Sequence, residues 1–247
     1  MSIEGGYDKD WWKAAKAMSL ERAAHAKAAA SGVNAGDAFL VVTEGTVTEP
    51  VYFELLRTDL QLAAVRIRIE PGKHSDPRHV IETAAGEVKE QARRARKGLL
   101  GNTEPAKFDH VWAVIDTDVA VRNGFWNEVE TLARTRKVKL AHSTPCFEYW
   151  LLLHIQGLTT RGDLVNGDAA KSAVKHELGQ DYSTNEETAR AVMPLFVPKW
   201  PEAVVHGETV RTYHAAAATP KPANPSTEVC ALVRALNDSA PAHLRKL

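Results

Sequence analysis

The chain alternates short apolar runs with longer amphipathic stretches, as strands and helices taking turns would. Strands are expected near 38–43 (Phe39-Leu40-Val41-Val42), 65–70 (Val65-Arg66-Ile67-Arg68-Ile69-Glu70), 110–115 and 137–142, with helices near 49–60, 77–97 and 123–135 between them. Strand–helix–strand repetition calls for right-handed crossovers. The pattern therefore predicts an α/β fold on a largely parallel four-stranded sheet flanked by helices. Arg66 and Arg68 alternate with apolar neighbours, which marks the second strand as an edge strand with one wet face.

Before this core, Trp11 to Ala30 is rich in Ala, Lys and Glu and predicts an N-terminal helical arm, broken by Gly32 to Gly36. After His142, the run from Ser143 through Leu153 predicts a helix with Thr144 as N-cap and Pro145 in its first turn. Two short polar helices are expected within 160–195, joined by a loop at Gly179 to Thr184. The Pro- and His-rich stretch 194–225 reads as an irregular connector. A final helix is expected from Asn224-Pro225-Ser226-Thr227-Glu228, with Val229, Leu232, Val233 and Leu236 on one face. The divisions are an arm at 1–37, an α/β core at 38–158 and a C-terminal helical extension with the final helix at 159–247.

Composition narrows the picture. With 247 residues, 44% hydrophobic and 25% charged, the chain has apolar content for a full core. Its 31 basic and 31 acidic residues cancel, so no global field draws in a polyanion; a nucleic acid would need a local basic patch and metal. Cys146 and Cys230 have no CxxC partner, which argues against a disulfide framework or a structural zinc site. No apolar run is long enough to span a bilayer, and the N-terminus lacks a basic segment followed by an apolar one. The expectation is a cytoplasmic protein without a membrane partner.

The candidate chemistry lies at strand ends. The third strand runs into Asp116 and Asp118, and the first into Glu44, so two strands present carboxylates at the edge where open α/β sheets bind ligands. Alternate residues of an extended segment point the same way, so Asp-x-Asp can chelate one cation. Three hard oxygen ligands, Glu44, Asp116 and Asp118, point to Mg²⁺, or Mn²⁺, acting on a phosphate. Gly45 allows a tight turn or close backbone approach. Glu49 is accounted for as a helix-dipole partner, with Thr48 as cap and Pro50 in the first turn. Glu148, in the first turn of the helix after the fourth strand, is a capping residue that could also be aimed at the acids. Lys73-His74 follows the second strand on the same rim and is the best candidate for handling phosphate or protons. The basic clusters Arg93 to Lys97, Arg134 to Lys139, and Lys171 with Lys175 and His176 read first as solvated helix faces. His154 and His206 lack metal-ligand spacing and read as structural.

Four linked motifs resemble the RloB-like proteins in order and spacing, over about 38–237. They are Thr43-Glu44-Gly45 with Thr48-Glu49-Pro50-Val51-Tyr52-Phe53, Ile115-Asp116-Thr117-Asp118, Ser143 to Leu153, and Asn224-Pro225-Ser226-Thr227. That family looks like a member of the TOPRIM superfamily and is associated with prokaryotic restriction and phage-defence loci. The resemblance implies a TOPRIM-like core with Glu44 as its glutamate and Asp116 and Asp118 as its Asp-x-Asp pair; Glu148 matches an acid peculiar to the RloB-like pattern. The expected function is a Mg²⁺-dependent phosphodiesterase acting on DNA or RNA in anti-phage defence, with defence-system proteins as possible partners. In it Asp116 and Asp118 bind metal, Glu44 is a ligand or general base, and Lys73 stabilises developing charge. Two alternatives stay open: a phosphatase of haloacid dehalogenase type, with Asp116 as nucleophile, and a non-catalytic nucleotide-sensing or scaffold module.

Overall fold

The five residues of β1, Phe39–Thr43, are buried on both faces, as an interior strand of a parallel sheet requires. The structure is a computed structural model describing residues 37–62, 65–69 (backbone only), 76–101, 104–155, 162–179 and 182–247. The N-terminal arm expected at 1–37 lies outside the described residues except for Asp37.

Around β1 the sheet has the order β2-β1-β3-β4-β5, with β2 at Val65–Ile69, β3 at His110–Asp116, β4 at Lys139–Thr144 and β5 at Ser226–Thr227. The first four are parallel, as expected, and β2 is an edge strand. The fifth strand was not foreseen. Its two residues pair antiparallel with β4, Ser143 opposite Thr227, where a helix start was predicted. The final helix begins at Val229, five residues beyond the expected start at Asn224.

The crossovers are α1 (Thr48–Asp59), α2 (Pro77–Arg96), the short α3 (Asp118–Arg122) and α4 (Trp126–Arg136). Alternate strand residues face opposite layers. Leu40, Val42, Ala113 and Ile115 pack with Val80, Ile81 and Ala84 of α2 and Val129 of α4. Phe39, Val41, Trp112 and Val114 join the larger core containing Tyr52, Phe53 and Leu56 of α1 and Trp150.

The larger core continues into the C-terminal helices: α5 (Glu148–Leu152), α6 (Gly167–Leu178), α7 (Glu186–Phe196), α8 (Trp200–Ala216) and α9 (Val229–Ser239). The two helices expected within 160–195 are α6 and α7. The expected connector at 194–225 is instead largely α8, a helix of 17 residues. Its prolines mislead. Pro201 sits at the helix start, where a missing N–H costs nothing, and Trp200, Ala203, Val204, Gly207 and Val210 form a buried stripe. Gly207 admits the close approach of α9, since a Cβ there would stand 2.8 Å from Cys230 Cβ. The α5 helix also begins later than predicted, because Thr144 is the last residue of β4 and its hydroxyl accepts from Thr117 Oγ1 at 2.9 Å rather than capping a helix. Among the described residues, no helix is long and apolar enough to cross a membrane.

Candidate functional site

Register brings the first two acids together. Thr43 pairs with Val114, so β1 ends two residues short of β3 and the chain peels away into a bend at 44–47. The Glu44 N–H still reaches the Val114 carbonyl at 2.9 Å. The next ladder donor, the Asp116 N–H, finds the Glu44 carboxylate in place of a strand carbonyl, at 3.1 Å from Oε2. The Thr43 hydroxyl, donating to the Gly45 carbonyl at 2.9 Å, holds the bend.

Asp116 in turn ties the sheet to α5, its Oδ1 accepting from the Phe147 N–H at 2.9 Å. That contact places Glu148, 4% exposed, beside the same cavity. Its Oε1 accepts from the Tyr182 hydroxyl at 3.1 Å. Asp118 behaves differently from expectation. The extended segment stops at Asp116, Thr117 is already helical in conformation, and Asp118 opens α3 with its Oδ1 accepting from the Val119 N–H at 2.7 Å. It flanks the cluster from a helix start rather than pointing with Asp116 along a strand. Lys73 and His74 lie outside the described residues.

Sequence reasoning missed Glu49. Thr48 is not its helix's cap; Val47 holds that position, without a side-chain cap, and Glu49 is buried at 6% exposure instead of lying on a solvated first turn. Its carboxylate lies against Gly45, where a Cβ would stand 2.0 Å from Oε2. The glycine makes room for the acid. A Gly four residues before a Glu was the only hint. Tyr182 and Lys171 were missed as well, the first for want of any motif and the second because it was grouped with Lys175 and His176 on a helix surface.

Glu49, Asp116 and Glu148 line a cavity of about 220 Å³, together with residues 45–48, Phe147, Lys171 and Thr184. Its acids repel one another. Burial first, then the charges of Asp118 and Asp76, raise Glu44 to about 7 against the hydrogen bond from the Asp116 backbone. Burial, with the charges of Glu148 and Glu44, raises Glu49 to about 7. Asp116 is pushed well above the usual carboxylate range by burial and by Glu49, Glu44, Glu148 and Asp118. The neighbouring Cys146 thiol is driven up by burial and by Glu148 and Asp116, so it is no thiolate nucleophile. His154 is structural, as expected: Nδ1 donates to the Trp150 carbonyl at 2.9 Å, leaving Nε2 to accept from the Tyr52 hydroxyl at 3.1 Å. Within the basic clusters, Arg93 and Arg136 are paired with Glu90 and Glu82.

Hard oxygens crowded with no ion pair of their own among the described residues are the donor chemistry of a divalent cation site, and a bound cation would relieve their repulsion. The cage is not preassembled. Among the described residues no three His, Cys, Asp or Glu side chains are gathered into a ready metal-binding group. Holding a shared ion would require the carboxylates to turn toward it.

An α/β protein with a mainly parallel sheet and an acid-lined cavity at its C-terminal strand edge is the class these features define. The chain belongs to the RloB-like protein family, whose model matches residues 39–236. No curated protein and no solved structure matches it.

Proposed function

We propose that this RloB-like protein is a divalent-metal-dependent phosphodiesterase of TOPRIM type, acting on DNA or RNA in prokaryotic anti-phage defence in the cytoplasm. The observation that carries the reading is the convergence of Glu44, Glu49, Asp116 and Glu148, from two strand ends and two helix starts, with no ion pair among the described residues to balance them. Asp116 would hold Mg²⁺ or Mn²⁺ with Asp118 flanking, and Glu44 would be either a further ligand or the general base. A cation bound there would supply Lewis acidity to a phosphoryl oxygen and acidify a bound water.

The chain's own residues supply the rest. Glu44, raised to about 7 in the cation-free protein and tethered by the Asp116 N–H, is placed to accept a proton near neutrality. Glu148, fixed by Tyr182, and Glu49, seated on Gly45, line the cavity and make it negative. The Phe147 N–H ties Asp116 to the start of α5.

The test is cleavage of single- and double-stranded DNA, tRNA and rRNA with Mg²⁺, Mn²⁺ or chelator. Asp116→Asn keeps the oxygen that accepts from Phe147 and removes the charge. It should abolish divalent-dependent cleavage, and unchanged cleavage would refute the assignment.

A further inference from the structure

The wall facing the acids comes from the C-terminal helical segment, and Lys171 is the one cationic residue lining the cavity among the described residues. It lies in α6, which is fixed by its buried face of Ala170, Ala173 and Val174. The Lys171 side chain is exposed at the cavity mouth, as is Thr184. Several surface arginines are taken up by carboxylates, Arg94 by Glu104, Arg136 by Glu82, Arg190 by Glu186 and Arg234 by Glu208, and what sets Lys171 apart is its place beside the acids. Lys171 forms none of the ion pairs among the described residues, although three acids line the same cavity.

An uncommitted ammonium at the mouth of a negative cavity suits a ligand that brings negative charge to it. A phosphodiester approaching Glu49, Asp116 and Glu148 is repelled by them, and a lysine on a flexible stem offers a point charge that offsets the repulsion without fixing one geometry. We propose that Lys171 is the substrate-phosphate contact of this site, holding a nucleic-acid strand by its backbone at the cavity mouth while Thr184 borders the same phosphate. The inference rests on the phosphodiester reading above. It assigns to the C-terminal extension the phosphate contact that sequence reasoning gave to Lys73.

The experiment measures binding of a short fluorescein-labelled single-stranded oligodeoxynucleotide to the full chain, by anisotropy in Ca²⁺ across a salt series, for wild type, Lys171→Met and Lys171→Arg. Mn²⁺ uptake is measured on the same preparations. Lys171 is exposed, so its truncation opens no core, and thermal melts verify that both variants fold. Lys171→Met should bind the oligonucleotide on the order of tenfold more weakly, with the log–log salt slope flattened by about 0.7. Lys171→Arg should restore the slope. Mn²⁺ affinity should be unchanged or tighter in Lys171→Met, since a neighbouring positive charge has gone. Wild-type affinity and slope in Lys171→Met would overturn the proposal and leave the cation site standing. Wild type that takes up Mn²⁺ but binds no oligonucleotide would overturn both this contact and the phosphodiester reading. Oligonucleotide binding that depends on Lys171 without any Mn²⁺ uptake would uphold the contact and sink the metal-dependent reading instead.

Discussion

Carboxylates on the helical surface and carboxylates at the strand ends meet opposite electrostatic fates. Glu82 is held by Arg136 at 2.7 Å and Glu90 by Arg93 at 2.6 Å, and those hydrogen bonds lower both acids below their ordinary range. Asp76, capping α2, is lowered by Arg78 in the same way. At the strand ends and the start of α1, Glu44 and Glu49 rise to about 7 and Asp116 rises well above the usual range, because burial and mutual repulsion act without a guanidinium in reach. A net charge of zero over the whole chain conceals this difference. Charge is balanced where it holds the surface together and left unbalanced in the cavity, and unbalanced buried charge marks a functional site more strongly than total charge does.

The sharpest way to break the comparison is to remove its centre. Asp116→Asn should lower the proposed divalent-dependent cleavage by roughly a thousandfold or more. In chelator the same variant should melt higher than wild type at neutral pH, since Asp116 must take up a proton to fold and asparagine need not, while the Phe147 contact survives.

Next comes the pH dependence of stability in chelator. Glu49 is raised from 4.5 to about 7 in the folded chain, so between those values the folded state holds a proton that the unfolded state has released. Its contribution to stability is complete below 4.5 and lost as pH rises through about 7. His142 and His154, buried and lowered to about 4 and about 3, act with the opposite sign as pH falls. Comparison with Glu49→Gln cancels them. The melting temperature of Glu49→Gln should gain on wild type as pH rises through this window, and Mn²⁺ should shrink the gain by competing with the protons. A pH-independent difference would mean that Glu49 is not held protonated.

A smaller effect is expected at Gly45. An alanine Cβ would collide with the Glu49 carboxylate, so Gly45→Ala should displace that acid, weaken Mn²⁺ uptake and destabilise the fold by about 1–3 kcal/mol. Titration calorimetry and thermal melts check the two parts. Least affected should be the surface group. Arg136→Gln breaks an exposed pair with Glu82 and should leave cleavage and melting temperature nearly unchanged, because such pairs contribute little.

Legibility in the sequence followed the same division. The parallel sheet was readable because Phe39 to Val42 and Val111 to Ile115 are continuous apolar runs, and the acids ending them identified the rim. Asp116 and Glu44 do adjoin there. Glu49 was not readable: Thr-Glu-Pro at a helix start has a sufficient local explanation, and only the tertiary fit onto Gly45 reveals the buried carboxylate. The strand geometry expected for Asp118 did not hold for the reverse reason, since strand periodicity was extended through Thr117, where the backbone had already turned helical. The α8 helix was hidden by Pro198 and Pro201, which lie at its entry rather than its interior. Two-residue β5 carries too short a pattern for periodicity to register, and its place depends on a hydroxyl pair between Ser143 and Thr227 at 2.9 Å.

The central claim is that the strand-end carboxylates form one site for a hard divalent cation. Direct Mn²⁺ titration of the metal-free protein, wild type beside Asp116→Asn, tests it without knowledge of the substrate. Wild type should take up Mn²⁺ with release of protons near neutrality, and the variant should lose that uptake. Absence of uptake by wild type, or equal uptake by both, would contradict the account.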